Sequence, residues 1–232
     1  MERAGRSLLG RGVGEVDSAR LIERLCFLFP PVIGVGIVGV LQEAAPGVSL
    51  LRWGLLQVSA FGYTALTLGL ALALFLDARR LRTQSRAVAN WRPNPWINAA
   101  FALVWAPAAG VVYLHRRHKR LGTPVGWHGW WFVVALTLAT TLAGAATAAV
   151  AFVLAMPTLF ATAVGLTGAI ALGTFPIALH QDAAYVSTRR TPWRPNPGTY
   201  LGLAFLSLSL PVIQPVLAAY YLYRRRRVLG VP

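Results

Sequence analysis

Six long apolar runs, separated by short basic segments, dominate the pattern of hydrophobic and polar positions. They are Leu25–Leu41, Gly54–Leu76, Trp96–Leu114, Trp130–Ala155, Thr158–Leu179 and Gly198–Tyr223. None of the six contains Asp, Glu, Lys or Arg. A helix rises about 1.5 Å per residue and the hydrocarbon core of a bilayer is about 30 Å thick, so runs of this length predict membrane helices. The sequence therefore predicts an all-α integral membrane protein.

An internal repeat organises these runs. The segment Trp91–Pro95, which reads Trp-Arg-Pro-Asn-Pro, recurs letter for letter as Trp193–Pro197. An Asp-Ala pair precedes each copy, beginning at Asp77 and at Asp182. A chance match of this length with a rare tryptophan at its start is very improbable, so the pattern predicts a tandem duplication.

The repeat extends to the end of the chain. Pro107–Pro124 aligns without a gap onto Pro215–Pro232, and the two segments share Tyr-Leu, Arg-Arg and Leu-Gly pairs. The predicted organisation has three parts: a polar N-terminal segment over residues 1–24, a first membrane repeat over 25–124 and a second over 125–232.

The charge balance is strongly basic, with 22 Lys and Arg against 7 Asp and Glu and a formal net charge of +15. These basic residues flank the apolar runs and are not spread over a soluble surface. That arrangement is typical of positive charges that orient a membrane protein and attract anionic lipid head groups. We therefore expect membrane lipids, and not nucleic acid, as the partner of the basic clusters.

The same charges predict which runs cross the bilayer. If all six cross, the basic residues divide 14 against 8; if the third and sixth runs return to the side they entered from, they divide 21 against 1. Cytoplasmic loops favour Lys and Arg, and both returning runs contain helix-breaking prolines. The sequence favours four full transmembrane helices plus two Pro-broken hydrophobic hairpins, with both termini cytoplasmic. The alternative is six plain transmembrane helices in a 3+3 inverted repeat.

The repeated pentapeptide has the composition of a segment that enters a membrane. Its two prolines exclude a continuous helix, while tryptophan favours the membrane interface and arginine the lipid phosphates. Together with the basic clusters, it supplies the candidate lipid or partner contacts, which are Trp91, Arg92, Arg116, Arg117, Trp193, Arg194, Arg224, Arg225, Arg226 and Arg227.

Residue types that carry chemistry are sparse, and we predict no catalytic, cofactor-binding or metal site. Ionisable residues within a bilayer mark proton relays and ion paths, and the apolar runs lack Asp, Glu, Lys and Arg. Cys26 is the single cysteine. Four histidines stand at the ends of the runs and are interpreted as rim residues: His115, His118, His128 and His180.

Small residues recur at four-residue spacing, for example Ala65, Gly69 and Ala73. Such stripes allow helices to approach closely. Packing within one chain is the default interpretation, and a homo-oligomer or a larger membrane complex is the alternative.

The repeated pattern of Asp-Ala, Trp-x-Pro-Asn-Pro, Tyr-Leu-x-Arg-Arg and Leu-Gly-x-Pro resembles uncharacterised multi-pass membrane proteins of halophilic archaea. The resemblance covers roughly residues 60–124 and 165–232. It implies an archaeal cell-membrane protein and brings no activity and no catalytic residues.

Two functions are compatible with these patterns. The first is a non-enzymatic membrane component that binds anionic lipid or a membrane partner through its basic clusters. The second is a channel or carrier for a small neutral or anionic solute, lined by Thr and Gly where the repeats meet.

Overall fold

Helices are the regular secondary structure of the described chain. The computed structural model describes residues 18–41, 49–83, 91–121 and 127–230. The helices in chain order are α1 (Ser18–Leu41), α2 (Ser49–Thr83), α3 (Pro95–Leu121), α4 (Trp130–Val153), α5 (Pro157–Ser187), α6 (Pro197–Ser209) and α7 (Ile213–Leu229). The predicted all-α class is confirmed. Most of the predicted polar N-terminal segment, and the ends of both predicted repeats, lie outside the described residues.

Two helices extend well beyond their apolar runs. The second run ends at Leu76, but α2 continues to Thr83; the fifth run ends at Leu179, but α5 continues to Ser187. Arginines in the last turn of α2 favour this extension because they complement the negative end of the helix dipole. The aspartates that follow the apolar runs therefore lie inside helices and not in loops.

Three of the described helices are long and apolar enough to cross a membrane by length and composition: α2 from Trp53 onward, α3 and α4. Large apolar side chains also cover the outside of the molecule. Val104 is 86% exposed, Val153 80% and Val212 78%. Each Å² of apolar surface exposed to water costs about 25 cal/mol of free energy. These features indicate a membrane protein.

Two backbone breaks interrupt the helices near prolines. Within α3, Trp105 has φ −151° and ψ 82°, two residues before Pro107. Between α6 and α7, Leu210 has φ −128° and ψ 83°, directly before Pro211. A proline lacks the N–H that continues a helix and disfavours helical geometry in the preceding residue. The break at Leu210 follows directly from Pro211, whereas Ala106 separates Trp105 from Pro107.

Both arms of α3 lie against the same end of α2. In the first arm, the Trp96 ring centroid lies 4.9 Å from that of Phe75. In the second arm, the Tyr113 hydroxyl donates a hydrogen bond to Asp77, two residues further along α2. A straight helix would separate residues 96 and 113 by about 26 Å. The chain therefore reverses direction at the break.

The second half of the chain contains the same reversal. Tyr200 lies in the first turn of α6 and Tyr221 lies in α7, yet their ring centroids are 5.1 Å apart. The start of α6 and the middle of α7 are therefore neighbours, and the break at Leu210 lies away from this contact.

Each half of the chain has its own hydrophobic core. One core joins α1, α2 and α3, with Leu201 of α6 added. The other joins α4, α5, α6 and α7. Contacts of α1 with α5 and of α3 with α6 connect the halves.

The contact between α3 and α6 depends on a glycine. A Cβ atom on Gly198 would lie 2.4 Å from the His115 backbone nitrogen. Beside it, Asn196 Nδ2 donates to the His115 carbonyl oxygen at 3.2 Å, and Thr199 Oγ1 lies 2.8 Å from His115 Nδ1. The residue that follows the first pentapeptide copy, Trp96, is 72% exposed. Only the second copy needs a residue without a side chain at this position.

Substitution Gly198→Ala should destabilise the junction between the halves, because the methyl group would meet backbone and not a flexible side chain. Overpacking of this kind costs about 1–3 kcal/mol, so the thermal unfolding temperature in detergent should fall. Gly165→Ala is the matched control, since a Cβ there meets nothing within 4 Å and alanine favours a helix over glycine by about 1 kcal/mol. Equal shifts in the two variants would contradict the close approach.

Candidate functional site

A buried carboxylate joins three helices in the first half of the chain. Asp77, near the end of α2, is 2% exposed. Its Oδ2 accepts hydrogen bonds from the Tyr113 hydroxyl at 2.7 Å and from Arg117 Nε at 3.1 Å. Its Oδ1 accepts a hydrogen bond from the hydroxyl of Ser18, the first residue of α1. The carboxylate thereby fastens the second arm of α3 and the start of α1 to the end of α2.

The second half repeats the hydrogen bonds to Oδ2 with the same residue types. Asp182 in α5 is fully buried, and its Oδ2 accepts from the Tyr221 hydroxyl at 2.7 Å and from Arg225 Nε at 2.9 Å. The Arg225 guanidinium also lies 5.4 Å from the centre of the Trp131 ring in α4. We call these two arrangements, Asp77–Tyr113–Arg117 and Asp182–Tyr221–Arg225, the Asp–Tyr–Arg clusters.

Helical spacing explains how each cluster assembles. In both halves the tyrosine and the arginine are four residues apart on one helix, so they lie on the same face. The side chain of the next residue along the helix points about 100° away from that face. Arg117 and Arg225 therefore point inward, with side chains only 16% and 6% exposed, whereas their neighbours Arg116 and Arg224 are exposed.

The energetics of the clusters favour a structural role. A buried carboxylate is costly unless it is paired and hydrogen-bonded, and a charge-assisted bond is roughly twice as strong as a neutral one. Removing one partner of a buried ion pair leaves an uncompensated charge. One oxygen of each carboxylate, Oδ2, is engaged by the tyrosine and the arginine, whereas Asp182 Oδ1 is buried without a hydrogen-bond partner.

The repeated pentapeptide begins the helices that face the clusters. Asn94 Oδ1 accepts from the backbone N–H of Trp96 at 3.0 Å and of Ile97 at 3.4 Å. Asn196 does the same for Gly198 and Thr199, at 3.0 and 3.4 Å. Asparagine is a preferred N-cap, and the proline that follows it suits the first helical position. The motif is thus a helix start signal in both halves.

The tryptophans of the pentapeptides pack on the tyrosines of the clusters. The ring centroids of Trp91 and Tyr113 are 5.5 Å apart, and those of Trp193 and Tyr221 are 5.4 Å apart. Trp91 and Trp193 are partly buried, so only their exposed edges are available to lipid or a partner. The predicted contact of these edges stays a prediction.

The predicted arginine contacts divide into two sets. Arg117 and Arg225 are held in the Asp–Tyr–Arg clusters. The other six are exposed, and we call them the arginine rim: Arg92, Arg116, Arg194, Arg224, Arg226 and Arg227. Aromatic rings support part of this rim, since the Arg224 guanidinium lies 5.4 Å from the Trp193 ring centre and that of Arg227 lies 5.2 Å from Tyr223.

The four histidines do not form one set. His128 is exposed at the start of α4, as expected of a rim residue. His180 is only 1% exposed and contacts the Phe27 ring edge-on at 5.3 Å, so its interpretation as a rim residue is wrong. The physical reason is that α5 continues past its apolar run and packs against α1. Over the described residues, no group of three or more His, Cys, Asp or Glu is placed to hold a metal ion.

Comparison with protein-family models, with curated proteins and with solved structures finds no match.

Arg225→Gln should destabilise the protein much more than Arg226→Gln, which alters the adjacent, exposed arginine. Breaking a buried ion pair costs about 3–5 kcal/mol, whereas an exposed charge contributes about 0–1 kcal/mol. Thermal unfolding in detergent, followed by circular dichroism, measures the difference. Similar unfolding temperatures for the two variants would show that the Asp182 carboxylate does not depend on Arg225.

Proposed function

We propose that the chain is an integral membrane protein of four full spans, α1, α2, α4 and α5, and two re-entrant hairpins, formed by α3 and by α6 with α7. The pairs α1–α2 and α4–α5 make the most extensive helix contacts in the described chain. The identical hydrogen bonds of the Asp–Tyr–Arg clusters and of the two asparagine caps support an origin by tandem duplication.

The geometry of α3 favours a hairpin over a plain crossing. By length and composition alone α3 could span a bilayer, but its backbone breaks at Trp105 and both arms return to the end of α2. The first arm, residues 95–105, is about 16 Å long and covers roughly half of the hydrocarbon core. Non-helical backbone at that depth is tolerated where protein covers it.

The observation that carries the functional proposal is the placement of positive charge at one end of the molecule. The Asp–Tyr–Arg clusters bring the end of each hairpin to the end of α2 or α5. The bond between Asn196 and the His115 carbonyl then brings both hairpins together. The arginine rim consequently lies at one end, and Ser18 places the start of α1 there too.

This end is proposed to face the cytoplasm and to bind anionic lipid head groups. Cytoplasmic segments favour Lys and Arg, and 21 of the 22 basic residues would lie on that side. Each basic residue near an anionic surface contributes roughly 1 kcal/mol. Exposed guanidinium groups supported by Trp193 and Tyr223 are suited to phosphate because arginine presents several donors in a fixed plane.

The proposed role is binding and not catalysis, with the cell membrane as its location. The ion pairs of Asp77 with Arg117 and of Asp182 with Arg225 support this view, because they give both carboxylates a structural role. A membrane protein partner at the same rim, a homo-oligomer, and the solute channel or carrier all stay predictions.

Cysteine labelling tests the topology in a Cys26→Ser background. Thr83→Cys at the end of α2 and Lys119→Cys near the end of α3 should react with an impermeant maleimide from the same, cytoplasmic side of oriented vesicles. Leu154→Cys, in the turn between α4 and α5, should react from the opposite side. Labelling of Thr83→Cys and Lys119→Cys from opposite sides would overturn the hairpin.

Lipid analysis tests the rim. The variant Arg224→Gln/Arg226→Gln/Arg227→Gln removes three rim charges and leaves Arg225 in its cluster. At roughly 1 kcal/mol per charge, the preference for anionic over zwitterionic lipid in mixed nanodiscs should fall up to about a hundredfold. The control is Arg52→Gln, the one basic residue assigned to the other side. An unchanged preference in the triple variant would remove the proposal.

A further inference from the structure

An apolar cavity lies where the two backbone breaks approach α1. Its volume is about 610 Å³. Contributions come from α1 (Phe29, Ile33 and Gly34), from the break in α3 (Trp105) and from the end of α6 (Phe205 and Ser209). Ligand pockets in proteins generally measure roughly 300–1,000 Å³, so this cavity is large enough for an organic molecule.

The chemistry of the lining selects the ligand. Among the described lining residues, Ser209 carries the one hydroxyl group, and the rest present aliphatic or aromatic surface or glycine backbone. A polar solute would lose most of its hydrogen bonds to water here, since the Ser209 hydroxyl and the Trp105 indole N–H are the polar side-chain groups of the lining. A hydrocarbon chain has no such bonds to lose, and it would supply the dispersion contacts that an empty cavity forfeits along its walls.

The cavity opens onto the apolar outer surface. Trp105 and Leu206 both line it, and they are 62% and 49% exposed. Val104, next to Trp105, is 86% exposed. The opening is therefore continuous with the surface that faces lipid, so a chain can enter sideways from the bilayer without passing the arginine rim.

We propose that this cavity binds one hydrocarbon chain of a membrane lipid, held between α1 and the tips of the two hairpins. This inference rests on the proposed membrane placement of α3 and α6, but not on the recognition of anionic head groups. The occupant is identified by its chain, so a zwitterionic lipid should bind as well as an anionic one.

The structure offers a variant that fills the cavity. Gly34 lines the cavity and a Cβ there would meet nothing within 4 Å, so the side chain of Gly34→Leu should extend into the cavity. Gly165→Leu is the matched control, because a Cβ there also meets nothing within 4 Å and Gly165 does not line the cavity. Ala108→Phe fills the same space from α3 and serves if Gly34→Leu does not fold.

Photo-crosslinking in nanodiscs tests the site. A phosphatidylcholine with a diazirine near the end of one acyl chain should label the segments around Trp105 and Ser209 in the wild type. Labelling there, relative to the lipid-exposed residue Phe152, should fall at least fivefold in Gly34→Leu and Ala108→Phe and stay unchanged in Gly165→Leu. Labelling that is equal in all variants would show ordinary surface lipid only and would overturn the proposal.

The rim variant separates the two proposals. If the cavity binds a chain, Arg224→Gln/Arg226→Gln/Arg227→Gln should leave the phosphatidylcholine crosslink unchanged even where it abolishes the anionic preference. A crosslink that appears only with an anionic lipid, and disappears in the rim variant, would assign the labelling to the head-group site and reject the cavity.

Discussion

A carboxylate that is buried away from water and shared by a tyrosine and an arginine is the constraint on which each half of this molecule depends. Asp77 and Asp182 stand near the ends of long helices, where the chain has left its apolar run. Unpaired, either carboxylate would be prohibitively costly to bury. The arm that carries the tyrosine and the arginine must therefore return to the same end of the helix, and a reversal of the chain between the two is unavoidable.

The reversal has consequences at the opposite end of the hairpins. Prolines near Trp105 and Leu210 end the helices there, and the short arms leave space beside α1 that no side chain fills. The proposed hydrocarbon site is thus a by-product of the ion pairs at the far end. The ion pairs at one end of the hairpins and the apolar cavity at the other end both follow from the same reversal of the chain.

Neighbouring arginines have different roles because a helix turns by about 100° per residue. Arg117 and Arg225 pair with the aspartates, while Arg116 and Arg224 are exposed beside them. A run of arginines that resembles a uniform basic cluster is therefore divided between internal ion pairs and a surface proposed to meet lipid phosphate. Aromatic rings lie beneath two of the exposed members, Arg224 and Arg227.

The sequence by itself determined the helical class and the repeated motifs, because long uncharged apolar runs favour helices and the two pentapeptides are identical letter for letter. Asn94 and Asn196 could also have been assigned as helix caps from the Asn-Pro signal alone. The Asp–Tyr–Arg clusters could not, since each aspartate lies 36 to 43 residues from its tyrosine and arginine and nothing local pairs them. Only the tertiary structure decided which arginine points inward and where the cavity lies. It also explains why a glycine, Gly198, follows the second pentapeptide, whereas Trp96 follows the first. Each of these features depends on contacts between distant segments.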